Sequence, residues 1–137
     1  MKTQDMPNFT RHFKHWPKRL PRHLSVPDTS LAANLDIAAL RYPDKPALIY
    51  YGATLTYAEL KRQADALAGY MQQRLGLGKG ERVLLFMQNC PQFVVASYAA
   101  WRCGGIIVPV NPMNVTAELR SKIDDATPKV AVVAQDL

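Results

Sequence analysis

Three short apolar runs constrain this chain more than any other feature: RVLLFM at residues 82–87, GIIVPV at 105–110 and KVAVVA at 129–134. Each is brief and continuous rather than alternating, the form of a strand covered on both faces. Their apolar starts, Val83, Ile106 and Val130, lie 23 and 24 residues apart, and each gap holds one helix-length segment, 91–102 in the first and about 116–125 in the second. A strand, a helix and a second strand in that space make a βαβ unit with a right-handed crossover. The chain is therefore expected to be α/β, with a β-hairpin and helices leading into parallel βαβαβ units. The two units share no residue pattern, so the repeat is architectural only.

The preceding segment supplies the hairpin and two helices. In PDTSLAANLDIAALRYP, Asp28, Thr29 or Ser30 can accept the free amides of a first turn, Leu31, Leu35 and Ala39 line one face, and Pro43 stops the helix. A strand is predicted over 47–51, and Gly52 and Ala53 connect it to a second arm, TLTY. Thr56 and Glu59 have the spacing of a reciprocal capping box. Leu60, Ala64, Leu67 and Met71 then form a single apolar stripe, with Lys61, Arg62, Gln72 and Arg74 facing outward.

The 137 residues, 48% of them hydrophobic, suffice for one domain with a real core. The net charge of +6 is concentrated at the start. Residues 1–24 carry Lys2, Arg11, Lys14, Lys18, Arg19 and Arg22 against Asp5, which is +5, and the remainder carries +1. A nucleic-acid interface would thus rest on one short segment, not on a basic face of the body, and no nucleic-acid partner is expected. The expected division is a basic, proline-containing arm over 1–27 and an α/β body over 28–137. The arm lacks the apolar core of a secretory signal, and Pro7, Pro17, Pro21 and Pro27 argue against the amphipathic helix of a transit peptide. No apolar run approaches the roughly 20 residues that span a bilayer. Cys90 and Cys103 flank one helix, about 20 Å apart at 1.5 Å per residue, too far for an intramolecular disulfide. Free thiols and a cytoplasmic setting are the expectation.

Several candidate sites have a simpler reading. GLGKG, 76–80, looks like a phosphate loop, but it follows a helix and leads into a strand, the reverse of the order that presents helix N-terminal amides to an anion. A glycine C-cap and turn, with Lys79 solvated, is expected instead. His12, His15 and His23 lack acidic or thiol neighbours to complete a metal site, and no metal is expected. Asp124 and Asp125 are adjacent on a helix and do not face each other. No nucleophile–base constellation can be assembled, because all three histidines lie in the arm. The arm itself, with Phe9, Phe13, Trp16, Leu20 and Leu24 among its basic residues, admits three readings. It can pack along the domain, lie on an anionic membrane surface, or dock on a neighbouring subunit or another part of the same protein.

YPDKPALIYYGATLTYAEL followed by LGLGKGERVLLFMQNCPQFVVASYAAWRCGGIIVPVNP resembles the N-terminal portion of the AMP-forming adenylating enzymes. LTYAEL, 55–60, matches that family's first core motif and WRCGGIIVPVNP, 101–112, its second. WPKRLPRHLSVPDTSL, 16–31, is similar to the arm of bacterial long-chain fatty acid–CoA ligases, as are NCPQ, 89–92, and GGIIV, 104–108. Relatives usually open the helix after Asn-Pro with Thr or Ser, where this chain has Val115 with Asn114 or Thr116 left to cap. The family's enzymes are about four times longer, so the resemblance implies an incomplete AMP-binding domain.

For the whole enzyme the resemblance implies ATP, Mg and CoA as cofactors and a fatty acid as substrate. The reaction passes through an acyl-adenylate with release of pyrophosphate, and CoA then displaces AMP. The family's phosphate loop, Mg-binding Glu and catalytic Lys have no counterpart here. No catalytic, cofactor-binding or metal residue carries over, and this stretch alone is expected to be inactive and to bind none of these cofactors. One cleft-lining candidate remains, Asn111, because open α/β sheets place ligands at the carboxyl ends of their strands. Pro109, which cannot donate in a ladder, is expected near that end of a central strand or at a bulge. Self-association through the arm or an exposed sheet, and peripheral contact with the inner face of a membrane, are further expectations. The alternatives are a non-enzymatic interaction module with a basic aromatic arm, and a ligase for another acyl or dicarboxylic acid.

Overall fold

In a computed structural model, which describes residues 11–135, the three apolar runs form strands β3 (Arg82–Phe86), β4 (Ile106–Val110) and β5 (Val130–Val133). They are preceded by α1 (Leu31–Arg41), the hairpin β1 (Pro46–Tyr50) and β2 (Ala53–Thr56), and α2 (Tyr57–Gln73). Helices α3 (Pro91–Arg102) and α4 (Thr116–Ala126) fill the two crossovers, and a short 3-10 turn covers Arg11–His15. The sheet is parallel in the order β4-β3-β5. The α/β expectation is met, with β3 rather than β4 at the centre.

Register explains the core. Val83 lies opposite Ile107 and Val130, and Leu85 opposite Pro109 and Val132, so these residues share one face. That face packs on α2 and α3, where Ala96, Ala99 and Ala100 are fully buried beside Ala68 and Met71. Alanines let the α3 backbone approach the sheet closely. A second cluster, centred on Leu35, Leu60, Ala64 and Val95, joins α1, α2 and α3 beneath the hairpin.

The opposite face departs from expectation. Leu84 of β3 and Val110 of β4 are buried, but Ile106 of β4 and Val133 of β5 remain about half exposed. Among the described strands, β3 is the most completely covered on both faces. The reason lies in α4, which buries no residue of its own. Its C-terminus is held instead by polar contacts: Arg82 donates to the carbonyls of Ala126 and Thr127 at 2.7 and 3.0 Å, at the point where Thr127 takes a left-handed φ of 44°.

Local signals in the first half hold with small shifts. Ser30 caps α1 by accepting from the Ala33 amide at 3.2 Å. The buried stripe begins at Ala32 rather than Leu31, which stays exposed at the helix's first position, where the chain enters from the arm. The hairpin turns on Tyr51 and Gly52, not on Gly52 and Ala53. Tyr50 pairs with Ala53, and the two loop residues have φ of 46° and 82°, the left-handed pair that a two-residue hairpin requires. The Thr56–Glu59 box forms in full, with the Glu59 amide donating to Thr56 Oγ1 and the Thr56 amide to the Glu59 carboxylate. In α2, Ala68 is buried and Leu67 is half-buried between the two clusters.

Lys61 does not face outward as its place in the pattern suggested. It joins Asp36, Asp65 and Arg102 in a network across α1, α2 and α3. Arg102 grips Asp36 in bidentate fashion at 2.7 and 3.2 Å. Its Nε forms an ion pair with Asp65 at 2.5 Å. Over the described part of the arm, no residue from Arg11 to Ser30 is buried. Lys2, Asp5, Pro7 and Phe9 lie outside the described residues.

Candidate functional site

The reversal of strand order parts the loops at the carboxyl end of the sheet. The chain leaves β3 for α3 and moves to one side, then leaves β4 for α4 and moves back across β3 to β5. Right-handed crossovers in opposite directions place the two helices on opposite faces, and the loops after β3 and β4 part at their carboxyl ends. A crevice of about 460 Å³ lies there. Met87, Gln88 and Asn89 form one wall, the segment from Pro109 to Met113 the other, and Phe93 of α3 closes the back.

Each wall has a local cause. Ile106 donates its amide to the Glu81 carbonyl at 2.9 Å, and alternation along the strand then turns the amides of Ile107 and Pro109 away from β3. β4 is an edge strand among the described residues, so the donor that Pro109 lacks has no ladder partner to lose. Pro109 lies near the strand's carboxyl end, as expected, but the strand is not the central one. Asn111 then folds the chain: its Oδ1 accepts from the Met113 amide at 2.9 Å and its carbonyl from the Asn114 amide at 3.0 Å. On the other wall, α3 begins at Cys90 without a side-chain cap and with Pro91 in its first turn.

Asn111 lies in the wall of the crevice, with its NH2 uncommitted among the described residues. Gln88, Asn89, Met87 and Phe93 were not singled out from the sequence. The signal that finds them is their place, directly after a central strand at a reversal of order. The lining contains amides, thioethers, a phenyl ring and prolines but no ionisable side chain. Such a site can bind and orient a neutral or apolar group. A smaller apolar recess of about 260 Å³, between Leu48 and Tyr50 of the hairpin and Val94 of α3, shares Asn89 and Phe93 with it.

The remaining candidates lie elsewhere. The turn 76–80 sits at the opposite end of the sheet, and its amides are spent internally: Leu77 donates to Met71, Gly80 to Gly104, and Gly78 to the Glu81 carboxylate. A carboxylate thus fills the place an anion would take. The Gly78 amide, with Lys129 beside it, holds the Glu81 carboxyl below the usual range. Lys79 is exposed, with its stem against Gly104. His12 meets the Phe13 ring tilted and His23 meets it edge-on, with centroids 4.4 and 6.0 Å away. Asp124 and Asp125 are exposed near the end of α4. Among the described residues no three potential ligands converge. The residues present do not fit a triphosphate or its metal ion. Cys90 and Cys103 are free, and burial pushes the Cys103 thiol up.

With the geometry in place, comparison with known proteins is specific. The profile of the AMP-binding enzyme family matches residues 35–137. A long-chain-fatty-acid–CoA ligase of Yersinia pestis is 38% identical over 128 residues, covering 90% of this chain and 23% of that protein. One of Bacillus subtilis (strain 168) is 37% identical over 117 residues, covering 85% and 21%. A solved structure from Rhodopseudomonas palustris CGA009, assigned as a long-chain-fatty-acid CoA ligase, superposes with a TM-score of 0.75 at 30% identity, over 82% of this chain and 28% of its own. The chain spans under a quarter of the length of these two ligases.

Proposed function

Because the chain belongs to the AMP-binding enzyme family, we propose that it forms the N-terminal portion of an AMP-forming fatty acid–CoA ligase. The observation that carries this reading is the 38% identity to a long-chain-fatty-acid–CoA ligase, sustained over 90% of the chain. In this reading the parent enzyme joins a fatty acid to CoA at the expense of ATP, and the ATP, Mg and CoA sites lie in the rest of its polypeptide. The crevice after β3 and β4 and the apolar recess beside it are this chain's contribution. Their amide rim and hydrocarbon walls suit an uncharged, largely apolar group, which they would bind and shield from water. The two free cysteines accord with a reducing, cytoplasmic setting.

Fatty-acid-dependent ATP–pyrophosphate exchange tests the reading. The full-length parent should catalyse exchange with long-chain fatty acids and the 137-residue chain should not. Exchange supported only by short or dicarboxylic acids would replace the substrate class, and exchange by the chain alone would overturn the division of labour. Within the parent, Asn111→Asp keeps the oxygen that accepts from Met113 and removes the free NH2, whereas Asn111→Ala removes both. If the NH2 contacts the bound group, both variants raise KM. If Asn111 only shapes the turn, Asp restores the parent's KM.

A further inference from the structure

The arm from Arg11 to Pro27 contains no acidic residue and five cationic ones, Arg11, Lys14, Lys18, Arg19 and Arg22. It is organised around its own aromatic residues. Phe13 is half-buried, Trp16 meets it edge-on at 6.2 Å, His12 and His23 pack on its ring, and the Arg22 guanidinium lies 5.4 Å from the ring centre. Trp16 Nε1 donates to the Leu20 carbonyl at 3.3 Å, and the Leu20 amide donates to Pro17 at 3.1 Å. The aromatic residues are thus turned on one another while the aliphatic ones are not covered: Leu20, Leu24 and Val26 are 55%, 87% and 79% exposed.

We propose that this arm is a docking element for an anionic lipid bilayer. The cations complement headgroup charge, and Leu20, Leu24 and Val26 enter the boundary between headgroups and acyl chains. Lys and Arg stems allow both contacts at once, since the charge stays in the headgroup layer while the methylenes follow the apolar residues inward. The same arrangement argues against a single-stranded nucleic acid, which needs free aromatic faces for its bases and has no use for aliphatic tips. Here Phe13 and Trp16 are engaged with each other and with His12, His23 and Arg22. The rest of the chain carries only +1. That such docking places the protein where its substrate is dissolved rests on the fatty-acid reading above.

The test is co-sedimentation of the chain with phosphatidylglycerol–phosphatidylcholine vesicles and with phosphatidylcholine vesicles, without ATP or fatty acid, so failure here leaves the ligase reading standing. Binding is expected on the anionic vesicles, falling as salt is raised. Each basic residue is worth about fivefold in partitioning, so the triple variant Lys14→Gln, Lys18→Gln, Arg19→Gln should lose about a hundredfold. These three side chains take no part in the Phe13 cluster. The double variant Leu20→Ser, Leu24→Ser should lose about a hundredfold or more on the same vesicles, by the scale of apolar transfer, with an unchanged circular dichroism spectrum. The proposal is overturned by equal binding to both vesicle types, by no binding to the anionic ones, or by binding that the arm variants leave intact. Tighter binding to a single-stranded RNA oligonucleotide, lost in the same triple variant, would assign the arm to nucleic acid instead.

Discussion

Val115 stands where a helix start calls for an oxygen. Its amide reaches the Glu118 carboxylate at 3.2 Å, the return half of a capping box, but valine offers nothing for the Glu118 amide in exchange. The expectation that Asn114 or Thr116 would cap in its place fails, because Asn114 uses its NH2 to donate to Glu118 at 2.6 Å. Val115→Thr should complete the box and stabilise the chain by about 1 kcal/mol, read as a higher midpoint in urea denaturation. No shift would mean that α4 frays without consequence for the rest. Thr56 and Glu59 show the same motif complete, and that box was legible in the sequence because both partners lie within four residues. The place of Asn111 just beyond a strand's carboxyl end was legible for another reason, a topological rule that ties such ends to ligands. Which neighbours would share its crevice depended on strand order, and no local pattern encodes that.

Helices α1, α2 and α3 are fastened at their polar edge by Asp36, Lys61, Asp65 and Arg102, four residues spread over 67 positions of chain. Periodicity identified the apolar faces of α1 and α2 but assigned Lys61 to solvent, because a helical wheel does not reveal a neighbouring helix that brings a carboxylate alongside. The hydrogen bond from Arg102, ahead of the contributions of Lys61, holds the Asp36 carboxyl below its ordinary range. A depressed carboxyl contributes stability that is present above its unfolded-state pKa of about 4 and is lost as pH falls through the lower folded value. Stability should therefore hold from neutral pH down to about pH 5, then decline. Asp36→Asn should flatten that acid limb and cost at most about 1 kcal/mol at neutral pH, since Asp36 is 41% exposed and water screens the pair. Urea midpoints across the acid range check both. An unaltered acid limb in the variant would assign it to other carboxylates.

For the molecule as a whole, the spacing of three apolar runs was enough to announce a parallel α/β sheet, because a crossover needs room for one helix and little else. It did not announce that the second sheet face would stay partly open, at Ile106 and Val133. That depends on α4, which has few apolar residues to offer, and on how much polypeptide covers the sheet in proteins about four times as long. With Ile106 and Val133 about half exposed and both sheet edges unpaired among the described residues, the isolated chain should self-associate. Sedimentation velocity should show species above the monomer at high micromolar concentration, and a strict monomer there would count against it. The two edges are not equivalent. Pro109 interrupts the outer row of donors on β4, whereas β5 carries an unbroken row over its four residues. A strand seeking to extend the sheet meets a faulty template on one flank and a sound one on the other. The domain therefore carries a direction of growth, fixed by a single ring closure in a side chain.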